Sequence, residues 1–215
     1  MRGEQIILTL FLNLLMMRIL TCLLITLAIL QVGCKKNDNT NPVTPPIPFV
    51  SYTIPKGAHY ATGFDSTHFE LIQATHLHFT AIFDSSAIYT TTLGSNQIDV
   101  NKLYGFSDNQ SSHHLFSARV GWSWYNDSLR LFGYTYNDSI RTIKPLAIVP
   151  IGQQIDCNIA VDTLHKQYLF TINGQTTPMP RTARTPLIVG YKLFPYFGGD
   201  EVAPHKVTIK VREEL

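Results

Sequence analysis

The chain has only three cysteines, no apolar run long enough to span a bilayer and almost no surplus charge; each shortage removes a class of protein. Cys22 falls inside the amino-terminal apolar segment and Cys34 just beyond it, which leaves Cys157 as the one thiol of the remaining chain. A lone cysteine makes no intrachain disulfide, so the domain is held by its own core. Cys157 sits in the alternating segment Ile155-Asp156-Cys157-Asn158-Ile159-Ala160-Val161, where a small buried apolar residue outweighs a nucleophile. The apolar stretch Ile19 to Leu30 has twelve residues, and as a helix it covers ~18 Å of a ~30 Å hydrocarbon layer. Extending it back to Ile6 would bury Asn13 and Arg18, and a charge near mid-bilayer costs ~3 kcal/mol even on lenient scales. From Tyr52 onward, thirteen Lys or Arg face thirteen Asp or Glu. No basic cluster marks a nucleic-acid surface, so that partner class is excluded.

What is present at the amino terminus is an export signal. Arg18 precedes the short apolar core, and Gln31-Val32-Gly33-Cys34 follows it; a basic flank, a short apolar segment and a small residue at the cut define a secretory signal over residues 1–33. Met16-Met17-Arg18 reads as the natural start, with Met1 to Leu15 an over-extension. Gly33-Cys34 resembles the lipobox of Bacteroidetes-type lipoproteins, with Leu30 one place early and Gln31 at the usual Leu position. That resemblance implies that Cys34 is lipidated, and Lys35-Lys36-Asn37-Asp38 resembles the sequence that directs such proteins to the outer surface. The expected location is the outer membrane, reached through the lipid alone. Residues 34–50, rich in Asn, Thr and Pro, form a tether, since burial there cannot offset the entropy of ordering.

Residues 51–215 are expected to form one all-β domain of about 165 residues, enough for a single core. Short runs rich in Val, Ile, Phe, Tyr, Trp and Thr recur between Gly, Asn, Asp, Pro and Ser clusters. The clearest strands are Leu77 to Phe83, Phe116 to Trp124, Leu129 to Tyr136, Ile155 to Val161, Gln167 to Ile172 and Lys206 to Arg212. In the last, Val207, Ile209 and Val211 alternate with Thr208, Lys210 and Arg212. Hairpin turns are expected at Tyr125-Asn126-Asp127-Ser128, at Asn137-Asp138-Ser139 and, most strongly, at Asn173-Gly174. About ten such strands imply a two-sheet antiparallel sandwich or jelly roll.

Three groups of residues offer chemistry. Trp122 and Trp124 share one face of a strand, Tyr134 and Tyr136 share a face of the next, and Arg119 opposes the tryptophans. Aromatic rows serve as sugar platforms, although the same rings also fill sandwich cores. His113 and His114 stand at a loop–strand junction, where adjacent side chains point apart; His76 and His78 share a face but lack a third ligand, so no metal site is assigned. Tyr191 to His205 is dense in functional groups. Lys192, Tyr196, Asp200, Glu201 and His205 all fall there, with Asp200 and Glu201 able to hold Ca2+ or sugar hydroxyls and His205 able to act as a base. The alternative is a capping loop with a structural His205.

Asn101-Lys102-Leu103-Tyr104-Gly105-Phe106, the Phe116 to Trp124 strand, Leu131 to Tyr136 and the Tyr191 to His205 segment together resemble concanavalin-A-like sandwich domains of the polysaccharide-lyase-like type. The resemblance covers residues 60 to 213. It implies a polysaccharide or oligosaccharide partner and, in active members, β-elimination with an Arg neutralising the uronate and Tyr or His moving protons. Tyr191-Lys192 and Tyr196 match part of a carboxy-terminal lyase motif. Gln97-Ile98-Asp99 and Gln154-Ile155-Asp156 carry Asp where the lyase triplet has His, and the Glu-x-Asp-x-x-Glu signature of glucanases is absent. Three readings follow: a surface polysaccharide-binding lipoprotein, an active lyase using Arg119, Tyr134 or Tyr196 and a histidine, or a structural envelope protein. Catalysis is favoured if Arg119, Tyr134 and His205 share one groove, and disfavoured if Arg119 and His205 lie on opposite sheets.

Overall fold

The structure, a computed structural model, describes residues 16–18, 47–65 and 67–214. Apart from the helical residues 16–18, the signal segment lies outside the described residues, as do Cys34 and residues 35–46 of the tether. The chain divides into two compact units, Met1–Pro45 and Pro46–Leu215. Among the described residues no helix is long and apolar enough to cross a membrane.

The second unit is an antiparallel β-sandwich of jelly-roll type with two six-stranded sheets. Its strands are β1 (Val50–Ile54), β2 (Leu71–Ala74), β3 (His76–Phe83), β4 (Asn101–Ser107), β5 (Ser117–Trp124) and β6 (Leu129–Asn137), followed by β7 (Ile140–Val149), β8 (Gln154–Asp162), β9 (Gln167–Ile172), β10 (Gln175–Pro180), β11 (Ile188–Leu193) and β12 (Val207–Glu213). One sheet runs β1-β12-β3-β8-β9-β10, the other β2-β11-β4-β5-β6-β7. All six strands read from the sequence are present. The expected turns form where left-handed backbone is tolerated, with positive φ at Asn126, Asp127, Asp138, Ser139, Asn173 and Gly174.

Period-two alternation fills the space between the sheets. On β12, Val207, Ile209 and Val211 are buried; on β5, Ala118, Val120 and Trp122 are; on β9, Tyr168, Phe170 and Ile172 are. Cys157 belongs to the same core, and burial pushes its thiol above the usual range, as befits an inert residue. The residues between them on β5, namely Ser117, Arg119, Gly121 and Ser123, turn to the outer face of the second sheet. A bulge at Leu103 breaks the alternation on β4, where Lys102 pairs with Gly121 but Tyr104 with Val120. Leu103 and Tyr104 both enter the core, and Lys102 joins the outer face.

Asp108, just after β4, ties the sheets together. Its side chain is fully buried and accepts from Arg181 Nε at 2.8 Å and from Tyr168 Oη on β9 at 2.8 Å. Removing one partner of a buried pair leaves the other charge desolvated. Asp108→Ala is expected to lower the unfolding free energy by about 3–5 kcal/mol, measured by urea titration of the circular-dichroism signal.

Candidate functional site

The outer face of the second sheet carries a cavity of about 390 Å3 whose lining includes Lys102, His113, Arg119, Tyr134, Arg141, Tyr191 and Tyr196. Register explains why they meet. Arg119 pairs with Tyr134 across β5 and β6, and Tyr136 pairs with Arg141 across β6 and β7. Lys102 reaches the same face through the bulge. Tyr196 is held by reciprocal backbone bonds with Lys102 at 2.9 and 3.0 Å, and the ring of His59 stacks on it at 5.2 Å.

Two glycines make room for the cations. A Cβ on Gly105 would stand 2.7 Å from Arg119 Cγ and press on the Ala118 carbonyl; one on Gly198 would stand 2.5 Å from Lys102 Nζ. The Arg119 guanidinium is placed 5.2 Å from the centre of the Tyr134 ring, and Lys102 Nζ lies 4.7 Å from the same centre. Ring faces attract cations but do not neutralise them. Among the described residues neither these two nor Arg141 makes an ion pair with a carboxylate, and Arg119 Nε is buried without a hydrogen-bond partner.

The electrostatics follow from this crowding. Burial, then Arg119 and Arg141, pulls Lys102 down to about 8. His113 is pulled down to about 4 by burial first and then by Arg119 and His114, so its imidazole is neutral at neutral pH. Its Nδ1 lies 2.9 Å from Tyr191 Oη, which also accepts from the His113 backbone N–H at 3.1 Å. The two side chains form a hydrogen-bonded imidazole–phenol pair on the cavity wall, with the donor set by the imidazole tautomer. Burial raises Tyr134 and Tyr196 above the ordinary phenol range, so both stay protonated and can donate.

Several expected residues take other places. Trp122 is 0% exposed, with its ring against Phe83, Tyr89 and Phe197, and Trp124 packs half-buried against the same core. The sugar platform expected of them is corrected: they fill the sandwich, while Arg119 opposite them faces the cavity. His205 binds the Ser86 carbonyl at 2.8 Å through Nε2 and precedes β12 in the other sheet, so it does not join Arg119. Glu201 accepts from the backbone N–H groups of Thr92 and Leu93, both at 2.8 Å, and from Asn96 Nδ2. With that carboxylate capping a turn, the Ca2+ pairing of Asp200 and Glu201 is corrected; Asp200 alone lines the cavity. Among the described residues no cluster of three His, Cys, Asp or Glu is placed to hold a metal.

Lys192 also lines the cavity, but its Nζ is bound to Glu213 at 2.7 Å and Glu70 at 3.3 Å, so its charge is already met. Tyr136 flanks the site, its ring 5.9 Å from Tyr134 and 5.4 Å from His114. His113 and His114 do not point apart as expected. Residues 112–116 form a turn closed by bonds from the Leu115 and Phe116 N–H groups to the Ser112 carbonyl, and the two rings sit 4.3 Å apart. Lys102 and Arg141 are the residues that sequence reasoning missed. The hairpin at Asp138-Ser139 was a usable signal for Arg141, whereas strict alternation would put Lys102 with Tyr104.

The titration of His113 tests this electrostatic environment. Its folded pKa lies below the unfolded value, so the unfolded chain takes up the proton first, and stability from this group falls as pH drops below about 6.5. In a histidine ring NMR titration, His113 is expected to stay neutral at pH 6, with an apparent pKa of about 4 that rises in Arg119→Gln.

No protein-family model and no curated protein matches the chain. Among solved structures it is similar to alginate lyase AlyC3, with 10% identity, TM-score 0.50, and coverage of 77% of this chain and 74% of that one. Alginate lyase A1-II′, a member of polysaccharide lyase family 7, gives 11% identity, TM-score 0.46 and coverage of 77% and 80%. The CBM40 of the Ruminococcus gnavus IT-sialidase, bound to α2,6-sialyllactose, gives 13%, 0.39, and 77% and 93%. At 10% identity the likeness to AlyC3 establishes architecture alone: the chain has the concanavalin-A-like sandwich fold of that alginate lyase.

Proposed function

We propose that the protein binds a uronate-containing polysaccharide in the cavity on the outer face of the second sheet. The observation that carries this reading is the set of Lys102, Arg119 and Arg141, three cations without a carboxylate ion pair among the described residues, interleaved with Tyr134 and Tyr196. A uronate supplies the missing negative charge. Its hydroxyls meet phenol donors, and its C–H face meets aromatic rings. A bound carboxylate would oppose the downward shift that burial, then Arg119 and Arg141, impose on Lys102. The fold shared with alginate lyases agrees with an anionic glycan.

The second reading is cleavage of that glycan by β-elimination, favoured by the His113–Tyr191 pair on the cavity wall. In it, Arg119 neutralises the uronate carboxylate, a neutral imidazole or phenolate takes the proton on the adjacent carbon, and a tyrosine protonates the leaving oxygen. A base of pKa near 4 is weak at neutral pH, and the nearby phenols are raised rather than lowered. These shifts favour binding over turnover. The protein is further proposed to act at the outer membrane, attached through a lipid on Cys34.

Calorimetry with uronic-acid oligosaccharides is expected to show binding that weakens as salt rises. Lys102→Gln and Arg141→Gln should each lose about tenfold in affinity, the scale of one charge-assisted hydrogen bond. Unchanged affinity in both variants would overturn the assignment. Incubation with the same polymers is expected to give no rise in the ultraviolet absorbance of the unsaturated product; a sustained rise would establish the lyase reading. For the anchor, Cys34→Ser should abolish incorporation of labelled palmitate and release the protein from the membrane fraction.

A further inference from the structure

A second cavity, of about 550 Å3, adjoins the first at Tyr191, which lines both. It lies between the β2–β11 edge of the sheet and the turn after β4. Leu71 pairs with Tyr191 and Gln73 with Val189, so the side chains of Leu71 and Gln73 share Tyr191's side of the sheet. Gln110, Ser111 and Ser112 close the opposite wall. Gln110 is fixed by its N–H bond to the Val189 carbonyl at 2.7 Å. Ser112 runs directly into His113, making one continuous wall for the two cavities. Phe69, 63% exposed, meets Tyr191 edge-on at 5.2 Å where they join.

The two cavities differ in charge. The first gathers Lys102, Arg119 and Arg141. The second has neither a carboxylate nor a basic side chain in its lining; its polar groups are two amides, two hydroxyls and the Tyr191 phenol. A uronate placed there would find no cation in the lining to meet its carboxylate. Amides and hydroxyls can instead match each donor and acceptor of a neutral sugar, while Leu71 and the Tyr191 ring cover its apolar face.

We infer that the cavity beyond Tyr191 is a second sugar subsite that takes an uncharged residue, so that the bound glycan alternates acidic and neutral units. The inference rests on the proposed function, because the neutral unit is located by the acidic one next to it. It also separates this protein from a receptor in which neighbouring uronates each meet a cation.

The test compares two oligosaccharides of equal length by calorimetry on the full chain. One is a mannuronate homopolymer; the other is hyaluronan, in which glucuronate alternates with N-acetylglucosamine. The alternating ligand is expected to bind roughly tenfold more tightly. Gln73→Glu is isosteric and sits on an exposed edge strand outside the cationic cavity. It should weaken the homopolymer by about threefold or more through charge repulsion, and the alternating ligand by clearly less. Equal affinity for the two ligands, both sensitive to Lys102→Gln, would overturn the neutral subsite and leave uronate binding standing. Failure of both ligands to bind would overturn uronate binding and the subsite with it.

Discussion

A buried guanidinium is expensive unless something meets its charge, and Arg119 is 7% exposed with no carboxylate paired to it among the described residues. Its surroundings are a tyrosine face, a second cation at Lys102 and the bare backbone of Gly105. Two other cations that are largely buried do have carboxylates: Arg181 lies on Asp108, and Lys192 on Glu213 and Glu70. The contrast sets the cavity apart from the structural ion pairs. A cavity that gathers Lys102, Arg119 and Arg141 on one face is prepared for an anion, since its cations are already in place when one arrives.

That arrangement depends on the alternation along β5. One step along the strand separates the fully buried Val120 and Trp122 from Arg119, Gly121 and Ser123 on the outer face. The two halves of the alternation have different jobs. Trp122 anchors β5 to the core against Phe83 and Tyr89. Arg119 can then be held in place without a partner of its own. Weakening the core under Trp122 would disturb the cavity through the strand they share.

Much of this was legible from residues alone. Strands with a clean alternation, such as β9 and β12, and the turns with Asn, Asp or Gly at left-handed positions, declared themselves through local chemistry. The strands that escaped are mainly at or near sheet edges. β7 is exposed along much of its length and contains Pro145, and β10 carries Pro178 and Pro180, so neither shows a two-residue rhythm. At the site, Arg119, Tyr134, Tyr191 and Tyr196 were visible because their strand phase or aromatic density was distinctive. Lys102 was not, because one extra residue at Leu103 reverses which face it occupies, and a bulge leaves no mark in composition. Glu201 and His205 carried the right chemistry but are consumed by loop capping, a choice decided by contacts more than a hundred residues away in sequence.

The central claim is that the uncompensated cations of the outer sheet face recognise a sugar carboxylate. A crystal structure of the protein with a bound uronate oligosaccharide tests it most directly. The account predicts a carboxylate within hydrogen-bonding distance of Arg119 or Lys102, with the sugar ring against Tyr134 or Tyr196. An oligosaccharide seated elsewhere, with the Arg119 side chain still unpartnered, would contradict it.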